Sequence, residues 1–199
     1  MSNLILFNKP FQVLSQFTNR EETRDTLATY LDNRACAGFY PAGRLDYDSE
    51  GLMALTNDGA LQNKIASPAA KMTKVYWVQV EGLGDDAALN SLRQGVLLKD
   101  GMTAPANATI IPEPPVWIRK PPIRHRPSLA TSWLQLEICE GRTRQVRRMT
   151  AAVNLPTLRL VRIRIGPWQL AGMQPGEYRL ETVHLPKRPR QDTPRRRRS

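Results

Sequence analysis

Strict alternation of apolar and polar residues marks two segments of this chain as strands with one buried face. Residues 74–80 have the sequence K-V-Y-W-V-Q-V, and the segment that begins at Leu134 has the sequence L-Q-L-E-I. Successive side chains of a strand point to opposite faces, so this pattern predicts sheet rather than helix. Two apolar runs, residues 4–7 and 51–56, predict further strands, the second of them buried.

Helical spacing follows the strand at Leu134. After Gly141, the apolar residues Val146, Met149 and Val153 recur at intervals that place them on one face of a helix. Thr143 is the predicted N-cap, and Asn154 before Leu155-Pro156 is the predicted stop. Other helices are predicted over residues 25–31, over residues 61–66 after the Asp58-Gly59 turn, and from a cap at Asp85 or Asp86 to Gly95.

Strands and helices are mixed along the chain without a regular β-α-β alternation. This arrangement predicts the α+β class, with a mixed, mainly antiparallel sheet and flanking helices. No internal repeat is present.

Charge points to the kind of partner. The 199 residues carry a formal net charge of +11, and 41% of them are apolar, enough for a globular core. Residues 187–199 hold seven basic residues and one acidic residue, a net charge of +6, which leaves +5 on residues 1–186. We expect this Pro/Arg-rich tail to be disordered and the basic body to bind nucleic acid. No apolar run reaches 18 residues, which predicts a cytoplasmic protein without membrane contact.

Metal and cofactor chemistry is not indicated. Cys36 and Cys139 lack metal-ligand spacing, and the two histidines, His125 and His184, lie far apart. Neither a P-loop nor a G-x-G-x-x-G motif occurs. We therefore predict no metal and no cofactor.

A row of charged residues precedes the apolar run at residue 51. Asp46, Asp48 and Glu50 alternate, and in extended geometry they would share one face with Arg44. Calcium binding fails, because the twelfth position of the loop is Asn57 rather than glutamate. Paired-carboxylate glycosidase chemistry fails, because neighbouring positions on one strand cannot face each other across a sugar. A solvated acidic loop and a nucleophilic carboxylate beside an arginine both remain possible.

The polar face of the helix after Gly141 is basic. Residues 142–164 contain seven arginines and no acidic residue. A row of this kind repels itself unless a polyanion or a buried carboxylate neutralises it. The loop over residues 112–127 adds Trp117, Arg119, Lys120, Arg124 and Arg126. It is either an edge connection or, as we favour, a basic and aromatic strip that contacts RNA.

Four segments of the chain resemble, in order and spacing, the successive motifs of RNA pseudouridine synthases, specifically the branch that modifies bacterial ribosomal RNA. They are Asn8-Lys9-Pro10, G-R-L-D-Y-D-S-E-G-L-M-A-L-T-N-D-G over residues 43–59, Lys74-Val75-Tyr76, and E-G-R-T-R-Q-V-R-R-M over residues 140–149. With residues 160–167 and 175–179, the resemblance spans about residues 4–181. Departures are small: Ser49 replaces a common threonine, and Met53-Ala54 replaces leucines.

The resemblance implies specific roles within the site. Asp46 corresponds to the essential aspartate, as nucleophile or base. It could attack ribose C1′, remove a proton to give a glycal or add to the uracil ring. Arg147 corresponds to the cation that keeps this aspartate ionised in a dry pocket. Tyr76 would stack on the uracil and serve its C5 proton. Arg44 would either enter the RNA stack when the base flips or form a loop salt bridge, and Asp48 and Glu50 would be structural.

The resemblance also implies an architecture and a substrate. We expect residues 1–186 to form two lobes around a cleft with Asp46 on its floor, active as a monomer without a cofactor. The motifs begin at residue 8 and leave no room for the S4-type RNA-binding module of many relatives, which indicates large-subunit (23S) ribosomal RNA. A non-catalytic RNA-binding or ribosome-assembly protein is the alternative. The cations expected to contact RNA are Arg44, Lys74, Arg119, Lys120, Arg124, Arg126, Arg142, Arg144, Arg148 and Arg162.

Overall fold

A computed structural model describes residues 1–20, 23–32, 34, 36–123 and 129–184. The predicted RNA contacts Arg124 and Arg126, and the tail over residues 187–199, lie outside the described residues. The strands are β1 (Ser2–Lys9), β2 (Tyr40–Pro41), β3 (Glu50–Thr56), β4 (Lys74–Glu81), β5 (Leu97–Leu98), β6 (Gly101–Met102), β7 (Asn107–Ile111), β8 (Thr131–Ile138), β9 (Thr157–Ile165), β10 (Trp168–Gln169) and β11 (Tyr178–Val183). The helices are α1 (Gly59–Ala66), α2 (Asp86–Gln94) and α3 (Gln145–Ala152), with 3-10 turns at Leu27–Thr29 and Pro68–Ala70.

Nine of these strands form one sheet in the order β11-β1-β3-β9-β4-β8-β7, with β2 beside β3 and β10 beside β9. β5 and β6 form a separate hairpin. β3 and β9 run parallel, whereas the other pairs in the described part of the chain are antiparallel. The α+β prediction with a mainly antiparallel sheet is confirmed.

Each face of the sheet is covered by its own apolar cluster. Met53 and Leu55 of β3 pack in a cluster that also holds residues of α2, α3, β4 and β8. Their neighbours Leu52 and Ala54 point the other way and pack with α1 and with the segment that follows β10. β3 is therefore buried on both faces, as its unbroken apolar run predicted.

The predicted elements are present, with shifted ends. The strand predicted over residues 4–7 extends over Ser2–Lys9, because β1 pairs with β3 on one side and β11 on the other. The helix predicted over residues 25–31 shortens to the 3-10 turn Leu27–Thr29. Asp85 caps α2, as expected. No helix among the described residues is long and apolar enough to cross a membrane.

The cap predicted for α3 is wrong. The N-cap is Arg144, in the left-handed conformation with φ +50°, and not Thr143. The side chain of Gln145 instead accepts a hydrogen bond from the Arg142 backbone N–H at 3.0 Å and donates one to Glu140. The apolar face of the helix is as predicted, with Val146 and Met149 buried and Val153 packed against the same cluster.

The parallel contact between β3 and β9 depends on Gly51. Gly51 lies opposite Arg162 with φ +102°, and a Cβ atom there would stand 2.3 Å from the Arg162 carbonyl oxygen. The neighbour is backbone, so it cannot move aside without disturbing the sheet. Only glycine fits this position.

Replacement of Gly51 by alanine should therefore lower the free energy of unfolding by at least about 2 kcal/mol. Gly59→Ala is the matched control, because nothing lies within 4 Å of a Cβ at that position. Chemical denaturation of both variants and wild type measures the effect. Equal stability of the two variants would contradict the close-approach argument.

Candidate active site

The loop that carries Asp46 is held by hydrogen bonds on both sides of that residue. The Ser15 hydroxyl donates to the Leu45 carbonyl at 2.6 Å and accepts from the Leu45 N–H at 3.1 Å. The Gln12 N–H donates to the Tyr47 carbonyl at 2.9 Å. Because the flanking peptides are fixed, the Asp46 carboxylate projects from a rigid support.

The acidic row is not extended. Residues 46–49 form a turn in which the Ser49 N–H donates to the Asp46 carbonyl at 3.0 Å. The side chains of Asp46 and Asp48 are 34% and 35% exposed, whereas Glu50 is 1% exposed and belongs to β3. The prediction that the three carboxylates share one face with Arg44 is wrong, because the turn separates Glu50 from the other two.

Glu50 forms a buried ion pair. Both nitrogens of one edge of the Arg159 guanidinium, Nε and Nη2, donate to its carboxylate at 2.9 Å. The Trp117 indole N–H donates to the same carboxylate at 2.8 Å. Glu50 has the strand parity of Leu52, so this cluster lies on the face of the sheet that packs against α1.

Trp117 and Arg119 both have partners within the protein. Trp117 packs in the apolar cluster on the α1 side of the sheet. The Arg119 guanidinium stacks over the Phe11 ring at 4.2 Å and donates to the Pro121 carbonyl. Lys120 is exposed. In the described part of the predicted RNA strip, the indole of Trp117 and the guanidinium of Arg119 thus have partners within the protein. Its contact with RNA stays a prediction.

Two arginines of α3 and its cap bind the acidic turn. Arg144 donates two hydrogen bonds of 2.8 Å to the Asp48 carboxylate, and its Nη1 lies 3.8 Å from an Asp46 carboxylate oxygen. Arg147 donates to the Asp48 carbonyl at 2.6 Å and lies 3.4 Å from the Asp48 carboxylate. Among the described residues, the cation within 4 Å of Asp46 is thus Arg144, whereas Arg147 contacts Asp48 and Ser49.

These contacts hold Asp48 ionised. Burial works against the charged carboxylate, but the hydrogen bonds from Arg144 and the charges of Arg147 and Arg144 outweigh it, so the pKa of Asp48 is lowered. The same pairing raises the pKa of Arg144, whereas burial lowers the pKa of Arg147. Asp48, which the sequence marked only as structural, joins α3 to the loop of Asp46.

The other two arginines near α3 fix the β5–β6 hairpin. Arg148 forms a bidentate ion pair with Asp100, with distances of 2.7 and 3.1 Å. Arg142 donates to the Gly101 and Met102 carbonyls at 3.1 and 2.7 Å. Nothing in the sequence signals the role of Asp100, which lies 48 residues before Arg148.

A cavity of about 430 Å³ lies above the acidic turn. It brings together seven of the predicted site residues, which come from the loop before β3, from β4, from β9 and from the turn before α3. They are Arg44, Asp46, Lys74, Tyr76, Arg142, Arg144 and Arg162. Arg147, Arg148, Arg119 and Lys120 do not line it.

Arg44 is exposed at this cavity and forms no ion pair among the described residues. The alternative of a salt bridge from Arg44 to Asp48 or Glu50 is thereby excluded, because Arg144 and Arg159 pair with those carboxylates. Among the described residues that line the cavity, Asp46 is the one acidic residue, beside five cations. Within the described ranges, no group of three His, Cys, Asp or Glu residues could hold a metal ion.

Lys9 is a buried residue of the site that the pattern analysis missed. Its ammonium donates to the Pro10 and Val13 carbonyls at 2.8 Å each, beneath the acidic turn. Burial lowers its pKa to about 7, against the opposing charges of Glu50, Asp48 and Asp46, while Arg162 lowers it further. Only the short segment Asn8-Lys9-Pro10 signalled this position.

The chain is similar in sequence and in structure to known proteins. A family model described as RNA pseudouridylate synthase matches residues 3–152. The chain is 54% identical over 176 residues to ribosomal large subunit pseudouridine synthase E of Vibrio vulnificus, covering 88% of this chain and 74% of that protein. It is 51% identical over 181 residues to the protein of the same name from Xanthomonas campestris pv. campestris, covering 89% and 95%. A solved pseudouridylate synthase structure matches with a TM-score of 0.75 and 28% identity, over 92% of this chain and 71% of that one.

The pKa of Lys9 predicts a pH dependence of stability. Between pH 7 and pH 10.5 the unfolded lysine is protonated and the folded lysine is largely neutral, so unfolding takes up a proton. The free energy of unfolding should therefore rise with pH in this window, by up to about 1.4 kcal/mol per pH unit from this residue. Chemical denaturation between pH 7.5 and 9.5 should show a shallower rise for Lys9→Met.

Lys64→Met, at an exposed position of α1, is the control and should keep the wild-type slope. Parallel curves for wild type and Lys9→Met would show that Lys9 keeps its proton in the folded protein.

Proposed function

The chain belongs to the RNA pseudouridylate synthase family, and from this premise we propose that Asp46 is its catalytic carboxylate, acting on ribosomal RNA of the large subunit. The family's enzymes isomerise uridine to pseudouridine. The choice of large-subunit RNA is supported by the relatives of more than 50% identity, which are named for that substrate.

One observation supports the catalytic role most directly. Asp46 is the acidic residue of a basic cavity, on a loop fixed by Ser15 and Gln12. A carboxylate in such a place weakens phosphate binding, so an RNA-binding module has no use for it. An enzyme that needs an ionised carboxylate at the ribose C1′ of the target uridine does have a use for it.

Two arginines act on the Asp46 carboxylate, Arg144 by direct contact and Arg147 through the neighbouring residue Asp48. Arg144, with Nη1 at 3.8 Å from a carboxylate oxygen of Asp46, is its direct partner. Arg147 acts as a positioning residue, because it holds the Asp48 carbonyl and carboxylate and so fixes the turn that presents Asp46. A fixed turn keeps the carboxylate in attacking geometry.

Tyr76 supplies the wall against which the uracil lies. Its side chain is buried in β4 and lines the cavity with Asp46. An aromatic ring in this position stacks on a flipped base, and its hydroxyl serves the proton that leaves C5.

The cations at the opening bind the RNA backbone. Arg44 is exposed and has no carboxylate partner among the described residues, which suits insertion into the stack when the target base leaves it. Arg142 and Arg144 line the same cavity. Lys74 and Arg162 complete the basic lining.

Asp46→Asn tests the function. The substitution keeps size and hydrogen bonding but removes the charge, so turnover should fall at least about 10³-fold, on the order of 4 kcal/mol. RNA affinity should be unchanged or slightly higher. Release of the C5 proton from labelled uridine in large-subunit RNA measures turnover. Asp86→Asn is the control, because Asp86 is an exposed residue of α2. Wild-type protein that binds this RNA but releases no label would favour a binding module. Release that survives in Asp46→Asn would remove Asp46 from the chemistry.

Arg147→Met and Arg148→Met separate positioning from surface charge. Both residues lie in α3 and pair with a carboxylate, but only Arg147 touches the turn of Asp46. Turnover at saturating RNA should fall about 10²-fold in Arg147→Met, because a small displacement of the carboxylate costs that much. It should change little in Arg148→Met. Equal losses in the two variants would contradict the positioning role.

A further inference from the structure

Arg162 differs from the other arginines in its part of the chain. Six of the seven arginines between residues 142 and 164 lie within 4 Å of a carboxylate: Arg142, Arg144, Arg147, Arg148, Arg159 and Arg164. Arg162 is 2% exposed and has no carboxylate partner among the described residues. Its Nε donates to the Leu52 carbonyl at 2.8 Å, and its buried Nη2 has no acceptor.

Lys74 is a second buried cation beside it. Lys74 is 8% exposed, and its ammonium uses one donor, to the Met72 carbonyl at 3.0 Å. Burial lowers the pKa of Lys74, and the nearby charge of Arg162 lowers it further. Two adjacent buried cations without a counter-ion among the described residues are costly for a fold, so their presence indicates a negatively charged ligand.

The position of this pair selects the part of the RNA that can reach it. Arg162 lies opposite Tyr76 in the β4–β9 register, so the two side chains share a face, and Lys74 precedes Tyr76 by two residues on the same strand. All three line the cavity of Asp46. A phosphate stays with the RNA backbone at the exposed arginines, whereas a flipped base enters far enough to meet buried groups.

We propose that Lys74 and Arg162 bind the carbonyl oxygens of the flipped uracil and stabilise the negative charge that the ring carries after it is detached. This inference rests on the proposed function of the cavity. It adds two catalytic residues to the reaction and gives them a task distinct from that of Asp46.

The charge arises from the bond changes of the isomerisation. The C1′–N1 bond breaks with both electrons remaining on N1, and the uracil anion shares this charge with its two carbonyl oxygens. C5 then bonds to C1′, the C5 proton leaves and N1 gains a proton, so substrate and product have the same atoms. Fixed cations at the carbonyl oxygens stabilise the anion most, and therefore act on the step that forms it.

Lys74→Met is the first test. Single-turnover release of the C5 proton at saturating RNA should fall about 10²- to 10³-fold, as when one donor of an oxyanion site is lost. RNA affinity and its salt dependence should match wild type, and Lys74→Arg should recover part of the rate. Lys64→Met, an exposed lysine of α1, is the matched control and should keep the wild-type rate. Arg162→Gln, which removes the charge, is the second variant, used in the same way if Lys74→Met does not fold.

A substrate with a better leaving group tests the chemical role. Fluorine at C5 stabilises the uracil anion, so RNA with 5-fluorouridine at the target position depends less on the cation pair. The defect of Lys74→Met, measured as loss of the parent nucleoside from digested RNA, should be at least about tenfold smaller than with uridine. A structural effect of the substitution would be the same on both substrates.

Several results would overturn the proposal. Weaker RNA binding with a salt slope reduced by about 0.9, at an unchanged saturated rate, would assign Lys74 to a phosphate. Equal defects on uridine and 5-fluorouridine would remove the charge-stabilising role. Wild-type activity in both Lys74→Met and Arg162→Gln would reject this inference and leave the proposed function intact. Inactive wild-type protein would reject the proposed function itself.

Discussion

The buried ion pair between Glu50 and Arg159 is the contact on which the rest of the structure depends. It lies where β3 meets β9, the parallel junction of only two registered residue pairs that joins the β11-β1-β3 part of the sheet to the β9-β4-β8-β7 part. Asp46 belongs to the first part, and Tyr76 and Arg162 to the second. Removing two charges from water is costly, but three hydrogen bonds from Arg159 and Trp117 compensate here. The cavity exists because this short junction holds.

Sequence patterns predicted what repeats locally. Alternation predicted β4 and β8, and helical spacing predicted the buried face of α3. Seven residues selected from the sequence motifs and the basic segments line the cavity. Partners of charged groups were not predictable, because they depend on the tertiary fold. Asp100 meets Arg148 through the β5–β6 hairpin, and Trp117 meets Glu50 across the sheet, at sequence separations of 48 and 67 residues. The cap of α3 was not predictable either, because the N-cap residue Arg144 caps with no side-chain hydrogen bond and its guanidinium binds the distant Asp48.

The ion pairs of the arginine-rich segment also change the interpretation of its charge. A run without acidic residues suggested a surface field for RNA, but most of its arginines fasten the turn of Asp46, the hairpin and the sheet junction to one another. The cations of the cavity lining that have no carboxylate partner among the described residues are Arg44, Lys74 and Arg162. Specific placement, rather than total charge, distinguishes this cavity from a general polyanion surface.

The pairing of β1 with β11 has a consequence for how the protein is made. β1 is the first of the described strands to leave the ribosome, yet its outer neighbour covers residues 178–183. The Asn8 N–H and carbonyl also bond to Glu177 and Gly176. During synthesis, one edge of β1 therefore stays unpaired until almost all of the described chain has emerged. Pairing over such a distance is slow, and an open strand edge invites contact with other nascent chains. The sheet is thus completed only late in translation, after residues 178–183 have emerged.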